Sequence, residues 1–539
     1  MTEVSGGGAV AAALKALGVE HLFALTGGHI FPILDGVYQA GIGIVDTRHE
    51  QTAAFAAEAT ARLTRTIGVC AVTAGPGVTN AMSPIAQAGF NAAPLLCLAG
   101  RAPQFRWGQG SLQEIDHVPF VDPLAPARTV TSTDAIVDEL LAAAAAASTP
   151  PRGPRFLDFP LEVLYNTLPS LDVRLPATPE PPAPDPAAVS KVAALLAGAE
   201  RPVIIAGSNV WLDRAEGALR ELVEAAEIPV FVNGQGRGCV PADHRLSFSR
   251  SRSRAFKEAD VIVVGGSKMD FRLGFGQGFA PGASVVHLES HEDLIAGHVE
   301  LAASIGAPLA DTFAALVSEL AAPPDTKAWV DALRTTEESK RDAAQTDLAS
   351  SASPIHPLRV YGDLVPLLDR DAVVVCDGGD FASFAGREIS SYEPGCWLDT
   401  GPFGCLGAGP GYAMAARLAY PDRQVVIMYG DGAVGFSGME LETMVRLNLP
   451  VVCVVGNNGI WALEKYPMQA LHGYDVATDL RPGIRYDKVM EAFGGRGFLV
   501  TEPGELSPAL KAAFDCGEPA LVNVLTDPAI PYPRSSNLA

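Results

Sequence analysis

The sequence predicts an α/β protein built from three consecutive, doubly wound parallel-sheet domains. Short Val- and Ile-rich runs that end in glycine recur along the chain, and helical patterns separate them. Apolar runs of this kind are typical of parallel strands that are buried on both faces. A chain of 539 residues is also too long for a single core. In such sheets ligands bind beyond the carboxyl ends of the strands, where the glycines lie.

The candidate strands fall into three groups, and helical patterns such as AVAAALKALG at 9–18 lie between them. The first group is HLFAL at 21–25, GIVDT at 43–47, GVCAVT at 68–73, PLLCLAG at 94–100 and RFLDF at 155–159. The second is PVIIAG at 202–207, PVFVNG at 229–234, DVIVVGG at 260–266 and SVVHLE at 284–289. The third is AVVVCDGG at 372–379, QVVIMYGDG at 424–432, PVVCVVGNN at 450–458 and ALVNVLT at 520–526. Strands that alternate with helices predict parallel pairing.

Two breaks in composition separate these groups. Residues 173–187 are rich in proline and have no periodicity, which is typical of a stiff linker. A second break follows residue 345, where a polar helical pattern gives way to serine and proline. The predicted domains are therefore 1–172, 188–345 and 354–530, with a short tail at 531–539.

Composition and charge restrict the class of protein. A formal charge of −22 argues against nucleic-acid and anionic-membrane partners, because both need a basic surface. The eight cysteines are scattered singly, which favours free thiols in a reducing compartment over disulfides or zinc. We find no secretion signal at the N-terminus and no apolar run long enough to span a membrane. We therefore expect a cytoplasmic protein that acts on a small molecule.

The stretch from 430 to 460 carries the clearest chemical signal. A strand ends at Gly430, a helical segment follows, and a second strand returns the chain to Asn458. Because parallel strands end at the same edge of a sheet, Asp431 and Asn458 are expected to lie close together there. Together with the carbonyl of Ile460 they offer three hard oxygen ligands, which suit Mg²⁺ bound beside a phosphate.

This pattern resembles the metal and diphosphate motif of thiamin-diphosphate (ThDP) enzymes. The segment DTRHEQTAAFAAEATAR at 46–62 resembles the same family, and it implies that Glu50 handles protons at the cofactor's aminopyrimidine. TAGPGVTNAMSP at 73–84 and TGPFGCLGAG at 400–409 resemble the family's two glycine-rich cofactor segments. The resemblance implies ThDP and Mg²⁺ as cofactors, with aminopyrimidine-binding, middle and diphosphate-binding domains in that order. The implied metal ligands are Asp431, Asn458 and Ile460, and the implied cofactor contacts are Gly75, Pro76, Asn80, Gly404, Leu406, Gly430, Gly432 and Ala433.

Two groups of ThDP enzymes compete as models for the activity. The first domain resembles acetolactate synthases and benzaldehyde lyases, in which His29 and Gln113 would approach the substrate. The segment GFSGMELETMVRLNLP at 435–450 instead resembles 2-hydroxyacyl-CoA lyases, as does a tail in which Arg534 and Asn537 would close over a CoA thioester. Glu464 would lie near the substrate and relay a proton. The leading hypothesis is a lyase that releases formyl-CoA and a ketone or aldehyde; the alternative is a carboligase or decarboxylase of free 2-oxo acids or aldehydes.

Three further expectations come from the same resemblance. The middle domain would hold ADP or FAD through Arg237, Arg254 and Glu289, and the sequence leaves the choice open. The active sites would lie between subunits of a homodimer or homotetramer. A catalytically silent ThDP-fold protein is a hypothesis from another class, and the joint presence of Glu50, Asp431 and Asn458 argues against it.

Overall fold

The computed structural model describes residues 3–177 and 180–533. Within these residues lie three six-stranded sheets, and every strand pair in each of them is parallel. Helices separate successive strands along the chain. This confirms the predicted fold class of three doubly wound α/β domains in series.

The first domain has the strand order β3-β2-β4-β5-β7-β6. A short antiparallel pair, β1 with β8, joins its two ends. Its strands are β1 Val4–Ser5, β2 His21–Ala24, β3 Gly43–Asp46, β4 Gly68–Val72, β5 Leu95–Arg101, β6 Ala127–Thr129, β7 Arg155–Pro160 and β8 Thr167–Leu168. Its helices are α1 Gly6–Ala16, α2 Phe31–Gln39, α3 Glu50–Thr64, α4 Pro76–Phe90, α5 Val118–Val121, α6 Ile136–Ser148 and α7 Leu161–Tyr165.

The second domain has the strand order β11-β10-β9-β12-β13-β14. Its strands are β9 Pro202–Ala206, β10 Val230–Val232, β11 Ser247–Phe248, β12 Val261–Gly265, β13 Ser284–Glu289 and β14 Ala303–Gly306. Its helices are α8 Pro186–Ala197, α9 Ser208–Leu212, α10 Glu216–Ala226, α11 Arg252–Glu258, α12 Leu309–Glu319 and α13 Lys327–Leu348. Asp185 caps α8 by accepting from Ala187 N, so this helix begins inside the proline-rich stretch.

The third domain has the strand order β16-β15-β17-β18-β20-β19. Its strands are β15 Val373–Asp377, β16 Trp397–Asp399, β17 Val425–Gly430, β18 Val452–Asn457, β19 Arg496–Val500 and β20 Ala520–Leu525. Its helices are α14 Pro357–Leu364, α15 Gly379–Glu388, α16 Gly409–Ala419, α17 Asp431–Ser437, α18 Glu440–Arg446, α19 Ala462–His472, α20 Tyr486–Ala492 and α21 Leu506–Asp515.

The first and third domains share one hydrophobic core. Helix α3 packs along α16, and a single buried cluster runs from Phe23 in the first domain to Leu521 in the third. The backbone of Gly411 approaches α3 so closely that a Cβ there would lie 2.9 Å from the carbonyl oxygen of Thr52. The middle domain has cores of its own.

Arg62 joins all three domains from the middle of this interface. Its guanidinium is buried and donates to Glu58 of its own helix, to Gln235 of the middle domain and to the Asp399 carbonyl of the third. It also donates to the hydroxyl of Tyr412 at 3.0 Å. A buried charge with this many partners holds the domains in one arrangement.

Two remaining sequence predictions can be compared with the structure. All eight cysteines are free thiols. Within 3–177 and 180–533 no helix combines the length and the apolar character that crossing a membrane requires. Arg534 and Asn537 of the predicted lid lie outside the described residues.

Candidate active site

The structure brings Asp431 and Asn458 to one edge of the third sheet. Strand β17 ends at Gly430, which pairs in register with Gly456 of β18. Asp431 then begins α17, while Asn458 follows β18 directly. The backbone N–H of Gly459 donates to Asp431 Oδ2 at 2.7 Å, so the two chain segments are hydrogen-bonded at this edge.

Asp380, on the first turn of α15, is a third polar residue at this edge. Its Oδ2 accepts from the side-chain amide of Asn458 at 3.4 Å. The other Asn458 side-chain atom, Oδ1, accepts from the backbone N–H of Ile460 at 3.1 Å. The sequence prediction did not include Asp380, although the run VVVCDGGD at 373–380 has the same pattern of strand, glycine and carboxylate as the 430 motif.

Burial leaves the carboxylates at this edge in need of a cation. Burial raises the pKa of both Asp431 and Asp380 to about 6. The negative charge of Glu464 raises the pKa of Asp380 further, which places this predicted catalytic residue nearby on α19. Neither aspartate forms an ion pair with any side chain of the described part of the chain. A divalent cation would relieve this charge, so the residues present fit a metal.

The ligand set of such a metal would be mixed. Residues 3–177 and 180–533 contain no group of three or more histidine, cysteine or acidic side chains arranged to hold a metal ion. A cation here would therefore depend on one carboxylate, the Asn458 amide, the Ile460 carbonyl and oxygens of its ligand. This is the coordination that Mg²⁺ adopts beside a diphosphate.

Asp377 at the end of β15 holds the glycine-rich segment 400–409. Its two carboxylate oxygens accept the backbone N–H groups of Gly407, at 3.1 Å, and Gly409, at 2.7 Å. Burial raises its pKa to about 6. Gly404 has a φ of 75°, and a Cβ there would meet no atom within 4 Å, so the backbone is open for close approach. Leu406 packs partly buried against the shared core.

Close packing explains the small residues around Asp431. A Cβ on Gly432 would lie 2.5 Å from the ring of Trp461, so only glycine fits there. Gly378, with a φ of 89°, is restricted in the same way, because a Cβ there would lie 2.6 Å from the Cβ of Ala433. The indole of Trp461 meets the ring of Phe436 edge-on at 6.5 Å. The aromatic rings of Trp461 and Phe436 therefore lie beside Asp431 at this edge of the sheet.

A second group of predicted residues lies at the carboxyl edge of the first sheet. Glu50 is buried at the start of α3, and its Oε2 accepts from Asn80 Nδ2 at 3.0 Å. Asn80 belongs to α4, which begins at Pro76 directly after Gly75. Gly75 has a φ of 59°, and a Cβ there would lie 3.0 Å from Gln113. The predicted cofactor residues of this domain therefore form one cluster.

His29 and Gln113 meet over this cluster. Thr73 Oγ1 donates to Gln113 Oε1 at 3.1 Å and lies 3.4 Å from His29 Nδ1. Gly100 makes room for the histidine, because a Cβ there would lie 2.3 Å from His29 Cβ. Burial lowers the pKa of His29, so the imidazole is neutral at neutral pH.

A buried chain of hydrogen bonds that the sequence did not predict holds the Gly75 turn. The backbone N–H of Gly75 donates to His117 Nε2 at 3.0 Å, so this ring carries its proton on Nδ1. Nδ1 donates to Asp158 Oδ2 at 2.8 Å, and Arg101 donates to the same oxygen at 3.0 Å. His117 and Asp158 have no exposed surface. The three side chains come from distant parts of the chain, so no local spacing indicates them.

Within the described ranges, the predicted side chains of the two clusters do not bond each other directly, although Gln51 beside Glu50 donates to Phe436 of α17. Among the described residues, no hydrogen bond or ion pair connects Glu50, Asn80 or His29 with Asp431 or Asn458.

The three residues predicted to hold a nucleotide do not converge. Glu289 lies buried at the end of β13 and accepts from Asn209 Nδ2 at 2.9 Å. Arg254 bonds Glu258 on its own helix and Thr336 of α13. Arg237 donates to the Gly386 carbonyl in the third domain at 2.9 Å. Both arginines therefore have protein partners in this chain, and the assignment of a nucleotide to these three residues stays a prediction.

The segment GFSGMELET at 435–443 docks the third domain onto the start of α3. Glu440 is buried and accepts the backbone N–H of Arg48 at 3.0 and 3.1 Å. Gln51 Nε2 donates to the Phe436 carbonyl at 3.2 Å. These contacts surround Glu50 in sequence, so the segment positions the helix that carries it. The segment thus makes hydrogen bonds between the first and third domains.

Comparison with known proteins agrees with this fold. Three family models match the chain: the thiamine pyrophosphate enzyme N-terminal TPP binding domain at residues 4–120, the central domain at 189–316 and the C-terminal TPP binding domain at 377–524. The chain belongs to the thiamine pyrophosphate enzyme family, as its motifs predicted.

Individual relatives differ in activity. "Probable acetolactate synthase" of Mycobacterium bovis is 53% identical over 98% of this chain and 97% of its own length. "2-hydroxyacyl-CoA lyase 2" is 36% identical in Caenorhabditis elegans, over 96% of this chain and 89% of its own. The Homo sapiens protein of that name is 33% identical, over 96% and 90%. These relatives support the alternative hypothesis, a carboligase, better than the leading one.

Proposed function

We propose that this protein is a ThDP- and Mg²⁺-dependent carboligase of the acetolactate synthase type, acting on free 2-oxo acids. The observation that carries the proposal is the 53% identity to a "Probable acetolactate synthase" across nearly the whole of both chains. The clusters around Glu50 and Asp431 support it, because they provide the two halves of a ThDP site.

The chain's own residues would have distinct roles in this reaction. When bound, ThDP supplies an electron sink for making and breaking C–C bonds. Glu50, held by Asn80, would exchange a proton with the aminopyrimidine. Asp431, Asn458 and the Ile460 carbonyl would hold Mg²⁺, with Gly430 and Gly432 allowing the diphosphate close. These assignments fit the burial of Asp431, which forms no ion pair within the described residues.

The substrate side would depend on His29 and Gln113. The neutral imidazole of His29 could hold or accept the proton of a substrate hydroxyl. The amide of Gln113, ordered by Thr73, would orient the carbonyl or carboxylate of a 2-oxo acid. Glu464, on α19 of the third domain, would influence proton transfer at the substrate.

The complete site would lie between two subunits. In the described part of the chain no hydrogen bond or ion pair joins Glu50 directly to Asp431 or Asn458, and exposed apolar side chains lie near both clusters. Phe31, Leu112 and Ile115 are exposed beside the first cluster, and Phe436 and Met439 beside the second. A homodimer or homotetramer would cover these surfaces. Analytical ultracentrifugation tests this, and a monomer that is fully active would contradict it.

The middle domain would bind ADP or FAD at the carboxyl edge of its sheet. Two atoms near that edge, Glu289 Oε1 and Asn233 Nδ2, are buried and have no hydrogen-bond partner in the described part of the chain. Polar groups of this kind are suited to a bound ligand. Absorbance of the purified protein near 450 nm would distinguish FAD from a colourless nucleotide or from none.

The assay for the proposed function supplies pyruvate, ThDP and Mg²⁺ and measures acetolactate. We expect acetolactate to form, and its formation to stop when Mg²⁺ is removed. Failure to condense pyruvate, alone or with a second 2-oxo acid, would refute the proposal. An active Lys488→Gln protein, altered at an exposed residue of α20, serves as the matched control for variants.

The second candidate is cleavage of 2-hydroxyacyl-CoA to formyl-CoA and a ketone or aldehyde. The 36% identity to "2-hydroxyacyl-CoA lyase 2" favours it. Incubation with 2-hydroxyisobutyryl-CoA or mandelyl-CoA, followed by measurement of formyl-CoA, separates the two activities. Formyl-CoA without acetolactate would establish the lyase.

A further inference from the structure

A large cavity lies where the second and third domains meet. Its volume is about 1060 Å³, and its lining contains none of the residues assigned above to the active site. The lining comes from α13, α14, the C-terminal end of α15 and the segment that follows β10. Junctions between domains are common places for small-molecule sites. We call it the arginine cavity, after the residues that dominate its wall.

The charge of the arginine cavity is opposite to that of the protein. Seven arginines line it against four carboxylates, an excess of three positive charges in a chain whose net charge is −22. All four carboxylates are already engaged. Three of them form ion pairs, which are Glu388 with Arg250 and Arg387, Asp363 with Arg359, and Asp243 with Arg370.

Glu337 is the fourth carboxylate, and it forms no ion pair with an arginine of the described residues. Its two oxygens accept backbone and hydroxyl groups of Ser249 and Ser251, at 2.8 to 3.3 Å, and the backbone N–H of Arg250 at 2.9 Å. A carboxylate held by this many donors is saturated. Glu337 keeps its negative charge, but it forms no ion pair with the guanidinium groups of Arg334 and Arg341 on the same helix within the described residues.

Arg334 and Arg341 are the two arginines that α13 contributes to the cavity wall. They are two turns apart on α13, and both line the cavity. Arg334 stacks on the ring of Phe248 at 4.2 Å and donates to backbone carbonyls only. Arg341 has no side-chain hydrogen bond or ion pair with any residue in the described ranges. Neither guanidinium forms an ion pair within the described ranges. Such groups are suited to bidentate recognition of phosphate or carboxylate.

We propose that the arginine cavity binds a small polyanion, a metabolite carrying phosphate groups or several carboxylates, and that this anion regulates the affinity of the active site for its cofactor. The route is α15. Its first turn carries Asp380, which bonds Asn458 at the metal edge, and its last turn carries Arg387 and Glu388 in the cavity wall. Ten residues of helix span about 15 Å. An anion that attracts Arg250 and Arg387 weakens their bonds to Glu388 and frees that end of the helix.

Calorimetric titration of the full chain, saturated with ThDP and excess Mg²⁺, tests the binding. Tripolyphosphate and citrate are the two probes, at matched ionic strength, and they show whether phosphate or carboxylate is preferred. We expect one of them to bind, and Arg341→Gln to weaken its binding at least tenfold. Arg214→Gln, altered at an exposed arginine of the middle domain outside the cavity, is the matched control and should leave binding unchanged.

Three results would overturn the proposal. Both probes could fail to bind. Arg341→Gln could bind a probe as the wild type does, or it could weaken binding no more than Arg214→Gln does, which would indicate attraction by charge alone. Arg341 is exposed and makes no side-chain bonds within the described ranges, so its variant should fold. The double variant with Arg334→Gln serves as a stronger test.

The regulatory part has its own measurement. The apparent Kd for ThDP is determined with and without the bound probe, and we expect at least a threefold change that is lost in Arg341→Gln. Thermodynamic reciprocity requires ThDP to change the Kd of the probe by the same factor. Binding of the probe with no change in the Kd for ThDP would refute regulation through α15.

Discussion

Replacing His117 by phenylalanine tests how the Gly75 turn is held. The ring is fully buried, accepts the Gly75 N–H at 3.0 Å and donates to Asp158 at 2.8 Å. Phenylalanine fills the volume but leaves the Gly75 N–H unpaired, which costs about 1–3 kcal/mol. It also removes one donor from Asp158, whose charge Arg101 still balances. We expect a total loss of about 2–4 kcal/mol in the free energy of unfolding.

The same change should act on the cofactor. Gly75 and Pro76 begin the turn that would support the aminopyrimidine, so a displaced turn should weaken ThDP binding by about tenfold, or ~1.4 kcal/mol. His117→Gln retains an acceptor for the Gly75 N–H and should recover part of both losses. ThDP binding is measured by calorimetric titration and stability by denaturant unfolding.

The matched control is His287→Phe in the middle domain. His287 is as buried as His117 and also makes two hydrogen bonds, to Ala296 N and to the Ser267 carbonyl. This variant should lose similar stability and keep the wild-type affinity for ThDP. An equal change of affinity in both variants, or none in His117→Phe, would refute a positioning role for His117.

Three further predictions concern other parts of the site. Glu50→Gln keeps an acceptor for Asn80, so ThDP affinity should change little while kcat falls about 10²- to 10⁴-fold; wild-type kcat in this variant would remove Glu50 from proton transfer. Gly432→Ala places a Cβ 2.5 Å from the Trp461 ring and should cost about 1–3 kcal/mol of stability, part of which Trp461→Ala should restore in the double variant, as thermal unfolding would show. Burial raises the pKa of Asp377 from its ordinary 3.8 to about 6. Between these two pH values the native state keeps a proton on Asp377 that the unfolded chain releases. This group should therefore make the free energy of unfolding fall as pH rises from about 4 to about 6. Asp377→Asn should flatten the profile between pH 4 and 6 in unfolding experiments, and an unchanged slope would contradict this pKa.

The fold and the sheet edge that carries Asp431 and Asn458 could be predicted because both depend on local pattern. The apolar runs ending in glycine predicted the parallel strands, and parallel register then brought Asp431 and Asn458 together. The sequence motifs also include both Glu50 and Asn80, which the structure joins by a hydrogen bond.

Contacts between distant segments could not be predicted in this way. His117 and Asp158 are 41 residues apart, and Glu440 meets Arg48 across 392 residues. No spacing in one sequence encodes such pairs. The segment around Glu440 resembles part of the CoA lyases, and the contacts by which it joins two domains do not follow from that resemblance.

The core shared by α3 and α16 has a consequence for how the chain is made. Tyr412, which packs against α3 and accepts from Arg62, is synthesised 240 residues after the first domain ends at residue 172. At ribosomal rates this takes roughly 10 to 50 s, during which the face of α3 that packs on α16 has no partner from its own chain. The rest of the first domain can already pack, because one of its buried clusters contains residues of that domain alone. We therefore expect the nascent protein to need a chaperone that covers this face until α16 is made.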